Sequence, residues 1–144
     1  MNKSVEEAQK IYIDANIVIY FLEGENENQE RATALFRYAA ENEIPLMTSE
    51  ITIAECLYGV YRSGRDALKE DYTQLFYGVA PFHFIPVERR IAERSAEVGA
   101  KLKLKLIDAI HFESALEVGC DVFVTNDKGI KSTDSLKVVQ LSDL

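Results

Sequence analysis

The chain is 144 residues long, 47% hydrophobic and 28% charged, a balance that suits one globular domain with a single core and not a disordered or fibrous chain. No apolar run approaches the roughly 18 residues a membrane span needs, and the opening MNKSVEEAQK lacks both the apolar stretch of a signal peptide and the acid-poor composition of a transit peptide, so the cytoplasm is the expected compartment. Sixteen Lys and Arg against 24 Asp and Glu give a net charge of -8, the wrong sign for long-range attraction to nucleic acid; RNA or DNA has to be met by local charge, whereas a basic peptide or protein suits the chain as a whole.

Residues 1–144 read as one domain, since no repeat, low-complexity tract or Pro/Gly-rich linker divides them; residues 1–10 are expected to be a mobile N-terminal segment. KIYIDANIVIYFLEG, residues 10–24, predicts a short buried strand over Ile11–Ile13 and a helix over Ala15–Glu23. Asp14 stands at their junction. An Asp there is either an N-cap or a functional acid, because ligands of open α/β sheets bind beyond the carboxyl ends of the strands. Ala32, Leu35, Phe36 and Ala39 give a helical stripe within residues 26–43, and Pro45 restarts the chain in a strand over Leu46–Thr48. Ser49 can cap a helix in which Ile51, Ala54, Leu57, Tyr58 and Tyr61 share the apolar face, ending near Gly64. Asp66 to Gly78 is helical again, Phe82 to Val87 is a β segment containing His83, and Glu88 to about Lys101 returns to helix. A short amphipathic helix over Asp108–Glu117, with Ala109, Phe112, Ala115 and Leu116 inward, is closed by Gly119. DVFVTND then carries a buried strand into a turn, and Lys137–Leu141 forms a last strand. Strands alternating with helices at this interval predict a three-layer α/β/α sandwich around a mostly parallel central sheet.

Four acids occupy comparable places. Asp14 follows the first strand, Glu55 lies inside a helix that follows a strand, Asp108 opens a helix, and Asp127 stands just beyond VFVT. A parallel sheet puts the carboxyl ends of all its strands along one edge, so Asp14 and Asp127 can meet there although far apart in the chain. Capping is an adequate account of Asp108, and turn formation of Asp127. Neither accounts for Glu55, a carboxylate beside an apolar helix face. Two carboxylates about 4 Å apart repel by roughly 4 kcal/mol at an effective dielectric near 20, so several together require protons or a cation. Oxygen ligands without a His or Cys set select Mg2+ or Mn2+, ions suited to phosphate-ester chemistry.

Other chemistry is poorly represented. Cys56 and Cys120 are far apart, form no CxxC pair and read as buried free thiols; His83 and His111 add no pair at metal-ligand spacing. No GxxxxGK[ST] loop, GxGxxG turn or G-x-S-x-G elbow occurs, which removes the usual nucleotide-binding and serine-hydrolase signatures.

YIDANIVIYFLE, SEITIAECLYG and LIDAIHFESALEVGCDVFVTND, in this order, resemble the three motif blocks of the PIN-domain ribonucleases, and among them the VapC-type toxins of toxin–antitoxin pairs. The resemblance spans nearly the whole chain after residue 10. It implies an acidic site of Asp14, Glu55, Asp108 and Asp127 that holds Mg2+ or Mn2+, with Asp14 and Asp108 the first choice for direct ligands, Glu55 and Asp127 completing the shell or orienting water, and Asn16, Thr125 and, less centrally, Asn126 in support. It further implies endonucleolytic hydrolysis of RNA, transfer RNA among the substrates, by a metal-activated water. The implied partners are a cognate antitoxin with a basic segment and a second copy of the chain. Ile107 departs from the pattern, relatives often having proline before the aspartate. Lys101, Lys103 and Lys105 offer a place for the phosphate backbone if the segment is extended, where spacing by two puts them on one side; in a helix they share no face. Tyr58, Tyr61, Tyr72 and Tyr77 read as core, or else as a dimer surface. Two other functions compete: a non-catalytic module docking a basic peptide on the acidic edge, and a small-molecule phosphohydrolase.

Overall fold

A computed structural model describes residues 1–144. Five strands form one sheet: β1 (Ile11–Ile13), β2 (Leu46–Ser49), β3 (His83–Ile85), β4 (Val122–Thr125) and β5 (Lys137–Gln140). Their order is β3-β2-β1-β4-β5 and every pairing is parallel. The helices are α1 (Lys3–Glu6), α2 (Ala15–Glu23), α3 (Glu27–Glu41), α4 (Ile51–Ser63), α5 (Ala67–Tyr77), α6 (Arg89–Leu102) and α7 (Leu106–Glu117), followed by a terminal 3-10 turn at Leu141–Asp143. None is long and apolar enough to cross a membrane.

The pleat of β1 explains the three layers. Successive side chains leave opposite faces of a strand. Ile11 and Ile13 therefore enter one core with α2, α3, α4 and α5, while Tyr12 between them enters a second core with α6 and α7. β4 divides in the same way, Val122 and Val124 to the first core and Phe123 to the second. All three β1 residues are consequently buried, the pattern of a strand covered on both faces.

Pro81 and Pro86 bracket β3, which is only His83–Ile85 and lies at the sheet edge, shorter than the β segment expected over Phe82–Val87; proline has no amide to donate to a ladder and confines itself to such edges. Residues 1–10, expected to be mobile, include the helical turn α1, whose Val5 is fully buried in the first core. The amides of Gln9 and Lys10 both donate to Asp121 Oδ2, at 2.8 and 2.9 Å.

Two helix faces differ from the periodicity. In α4 the buried side is Thr52, Cys56 and Val60, not the set of Ile51, Ala54, Leu57, Tyr58 and Tyr61. Tyr58 and Tyr61 are 66% and 58% exposed, and Tyr77 80%; of the four tyrosines expected to be core, only Tyr72 is, its hydroxyl donating to Glu23, which also pairs with Arg65. Helix α7 is buried nearly all round, with Ala109, His111, Phe112, Glu113, Ser114 and Ala115 inside, so its amphipathic pattern is weaker than expected. Cys56 and Cys120 are buried free thiols, and burial pushes both up to about 12.

Helix α7 lies close against α6 because Gly99 leaves room: a Cβ there would stand 3.0 Å from the Ala109 Cβ. Gly99→Val is expected to wedge the two helices apart and to destabilise the fold by about 1–3 kcal/mol, measurable as a lower urea midpoint. Since Ala109 adjoins Asp108, the same substitution is expected to disturb the acidic edge described next.

Candidate active site

The strand order reverses direction between β1 and β4, the switch point at which open α/β sheets leave a crevice beyond their carboxyl ends. Asp14 follows β1, and Thr125 ends β4, at this point. Ile13 is paired with Val124, and the Asp14 amide donates to the Val124 carbonyl at 3.0 Å, which fixes the two strand ends side by side.

Asp14 does both jobs the sequence allows. It is the N-cap of α2, its Oδ1 accepting from the Ala15 amide at 2.8 Å, while Oδ2 accepts from the Thr125 hydroxyl at 2.7 Å. Asn16 adds Nδ2 contacts of 3.3 Å to Asp14 Oδ2 and to Thr125 Oγ1. The Thr125 hydroxyl in turn accepts from the Asp127 amide at 3.0 Å. One buried hydroxyl thus ties the Asp14 carboxylate to the backbone of Asp127. Asn126 faces elsewhere, donating through Nδ2 to the Tyr20 hydroxyl at 2.9 Å, with its own amide held by Asn16 Oδ1.

Asp108 is in the first turn of α7, which begins at Leu106, so it is not the cap; that place belongs to Lys105, which makes no capping bond. Its carboxylate has no hydrogen-bond or ion-pair partner in the chain, although the helix amino terminus favours its charge. Burial, then Asp14 and Asp127, push the Asp108 carboxyl above its ordinary range, against the opposing pull of His111, with Glu55 adding a last, smaller push upward. Burial likewise raises Asp14, against His111, Thr125 and the Ala15 amide, with Glu55 adding to the rise. Asp127 Oδ1 accepts from the Gly129 amide at 2.8 Å, the turn role expected of an Asp in TNDKG.

Histidine 111 enters the site unannounced by the sequence pattern. It is fully buried, with Nδ1 2.6 Å from the Tyr12 hydroxyl and Nε2 2.5 Å from Glu55 Oε1 and 3.6 Å from Asp14 Oδ1. Burial disfavours charge on the ring, but the Glu55 hydrogen bond and the fields of Asp14, Glu55 and Asp108 outweigh it, and the net shift of His111 is upward. The available signal was its spacing: His111 is three residues after Asp108, one turn along the same helix side.

The structure therefore brings Asp14, Glu55, Asp108, Thr125, Asn16 and His111 into one neighbourhood, with Asp127 beside it. No three Asp, Glu, His or Cys side chains converge closely enough to hold a metal ion together. The donors still fit Mg2+ or Mn2+ by chemistry. All four acids offer oxygen, burial and the neighbouring Asp14 and Asp127 raise the Asp108 carboxyl above its ordinary range, and Mg2+ typically takes only one or two carboxylates while keeping several waters. Lys101, Lys103 and Lys105 are exposed but lie in neither of the expected forms: Lys101 is in the last turn of α6, Lys103 is left-handed at φ 56° as its C-cap, and Lys105 precedes α7. A turn between two helices, not an extended strand, carries the segment into α7, whose first turn holds Asp108.

A parallel α/β domain with an acid-lined switch point is the class these features define. The PIN-domain family model matches residues 11–136, and the chain belongs to that family. Ribonuclease VapC1 of Aquifex aeolicus (strain VF5) is 22% identical over 129 residues, covering 88% of each chain. Among solved structures, VapBC2 from Rickettsia felis bound to a DNA fragment from its promoter aligns with a TM-score of 0.72 at 18% identity, over 91% of this chain and 98% of that one. FitAcB from Neisseria gonorrhoeae aligns with a TM-score of 0.67 at 20% identity, over 93% and 99%. At these identities the structural matches speak for the fold.

Proposed function

We propose that this protein is a cytoplasmic endoribonuclease, the toxin of a toxin–antitoxin pair, hydrolysing RNA phosphodiesters with Mg2+ or Mn2+. The observation that carries the proposal is Asp108, a half-buried carboxylate with no partner in the chain, pressed by Asp14, Glu55 and Asp127 at the switch point of the sheet. That arrangement costs stability and makes sense as a place prepared for a cation. The match to a family containing a ribonuclease relative supports the reaction class.

Asp14 and Asp108 would hold the ion, with Glu55 and Asp127 completing the set or orienting water. When bound, the ion supplies water activation and neutralises the charge that grows on the scissile phosphate. Thr125 and Asn16 hold Asp14 Oδ2 in one orientation, so the reacting geometry does not depend on a free rotor. Lys103 and Lys105, exposed and just ahead of Asp108 in the chain, would receive the phosphate backbone, with Lys101 further back; transfer RNA is the substrate the family resemblance points to. The aligned structures include VapBC complexes. By analogy, a basic segment of a cognate antitoxin would sit on the same acidic edge, and a homodimer would use exposed surface such as Tyr58 and Tyr61.

The test is cleavage of a mixed transfer-RNA pool by the purified chain, freed of any bound partner. The expected result is discrete fragments in Mg2+ or Mn2+ and none in EDTA. Turnover of a simple phosphate ester with RNA left whole would favour a phosphohydrolase, and inertness toward both would leave a peptide-docking module.

A further inference from the structure

We propose that His111 is a positioning residue of this site: braced by Tyr12, its Nε2–H holds Glu55 Oε1 and leaves Glu55 Oε2 free for a cation. The inference deepens the nuclease reading and rests on it for its kinetic arm alone.

A fully buried imidazole is tolerated only if both nitrogens are satisfied. Here both are, by two residues from different elements, Tyr12 on β1 and Glu55 on α4. An ionised carboxylate only accepts, so Nε2 carries hydrogen in the bond to Glu55. With a neutral ring, Tyr12 then donates to Nδ1 and fixes that tautomer. Tyr12 is itself immobile. It is fully buried, stacked on Phe123 with ring centroids 5.0 Å apart and planes 13° from parallel, and set by the register of the central strand.

The line from β1 through Tyr12 and His111 thus ends on a carboxylate that otherwise has no restraint. Glu55 makes no other hydrogen bond, its side chain is 34% exposed, and it sits on a long flexible stem. Ordinary core filling would explain a buried His bonded inward to Tyr12, but not why its other nitrogen faces the acidic edge, 2.5 Å from Glu55 Oε1 and 3.6 Å from Asp14 Oδ1. Groups that orient a ligating carboxylate through its second oxygen commonly govern metal affinity and activity by about 10–100-fold.

The experiment compares the wild type with His111→Gln, His111→Leu and Tyr12→Phe. Gln places an N–H where Nε2 stands, and Leu does not. Two quantities are read, both normalised to the folded fraction seen by circular dichroism: Mn2+ affinity from the electron paramagnetic resonance signal of free Mn2+, and kcat and KM on RNA. Expected for His111→Leu is a loss of about 10–100-fold in Mn2+ affinity and in kcat, with KM for RNA unchanged; His111→Gln recovers most of both, and Tyr12→Phe falls between. His111→Leu matching the wild type, or His111→Gln as impaired as His111→Leu, overturns the proposal, as does a wild type that binds no Mn2+. If His111→Leu does not fold, wild-type Mn2+ affinity in Tyr12→Phe overturns it instead. A wild type that binds Mn2+ and cuts no RNA defeats the nuclease reading alone, and the affinity comparison still decides the role of His111.

Discussion

Asp108→Asn is expected to abolish RNA cleavage and, in the metal-free protein, to raise the melting temperature. The first effect follows from the proposed direct-ligand role: changing groups one shell further out commonly costs about 10–100-fold, so loss of a carboxylate ligand is expected to exceed about 100-fold. The second follows from the geometry. Asp108 makes no hydrogen bond that Asn would break, and its charge is disfavoured by burial and by Asp14, Asp127 and Glu55. A neutral isostere removes that strain, the usual trade between stability and activity at a prepared site. Paired cleavage assays and thermal melts in EDTA check both halves. Undiminished cutting would remove Asp108 from the site, and a lower melting temperature would make it a structural residue.

Lowering the pH is expected to stabilise the metal-free protein, and a divalent cation to offset the loss at higher pH. Asp14 and Asp108 both have folded pKa values above their unfolded ones. Each therefore contributes stability that is complete below the unfolded value, about 3.9, and that is lost as pH rises through the folded value. His111 is also raised, so its contribution is complete below about 6.5 and lost as pH climbs through its own folded value. The three act in one direction, and the melting temperature in EDTA is expected to fall from the weakly acidic range through about pH 6.5 and beyond. Cation binding needs ionised carboxylates and so strengthens over the same range. At a hundredfold excess over Kd the ion adds about 2.7 kcal/mol, roughly 5–10 °C for a domain of this size. Melts with and without Mn2+ at several pH values measure the effect; parallel curves, with no metal-dependent gap opening as pH rises, would contradict it.

Local pattern was enough for the architecture. The run IYI before Asp14 and the run VFVT before Asn126 are short and made of β-branched and aromatic residues, as suits strands covered on both faces, and the helices between them favour parallel crossovers. The same logic placed Asp14 and Asp127 at one edge without coordinates. Periodicity failed in α4 because that helix shows Tyr58 and Tyr61 to solvent and turns Thr52 inward, where its hydroxyl meets Thr48 Oγ1 at 2.7 Å; apolarity marks what can be buried, not what is. In KLKLK it left extended and helical forms both open, and neither is adopted, because Lys103 takes the left-handed conformation that ends α6.

Asp14, Asp108 and Asp127 could be singled out because each stands at a strand end or in the first turn of a helix, a place defined by a few neighbouring residues, and Glu55 because it interrupts an apolar helix. His111 was not. Its partners Tyr12 and Glu55 are 99 and 56 residues away, and no spacing rule joins residues so remote. Composition and local order thus determined a parallel sheet with carboxylates along one edge, since strand and helix preferences act over a few residues. Which oxygen faces which nitrogen was decided only when β1, α4 and α7 packed together, because a hydrogen bond is made over about 3 Å and depends on the placement of whole elements.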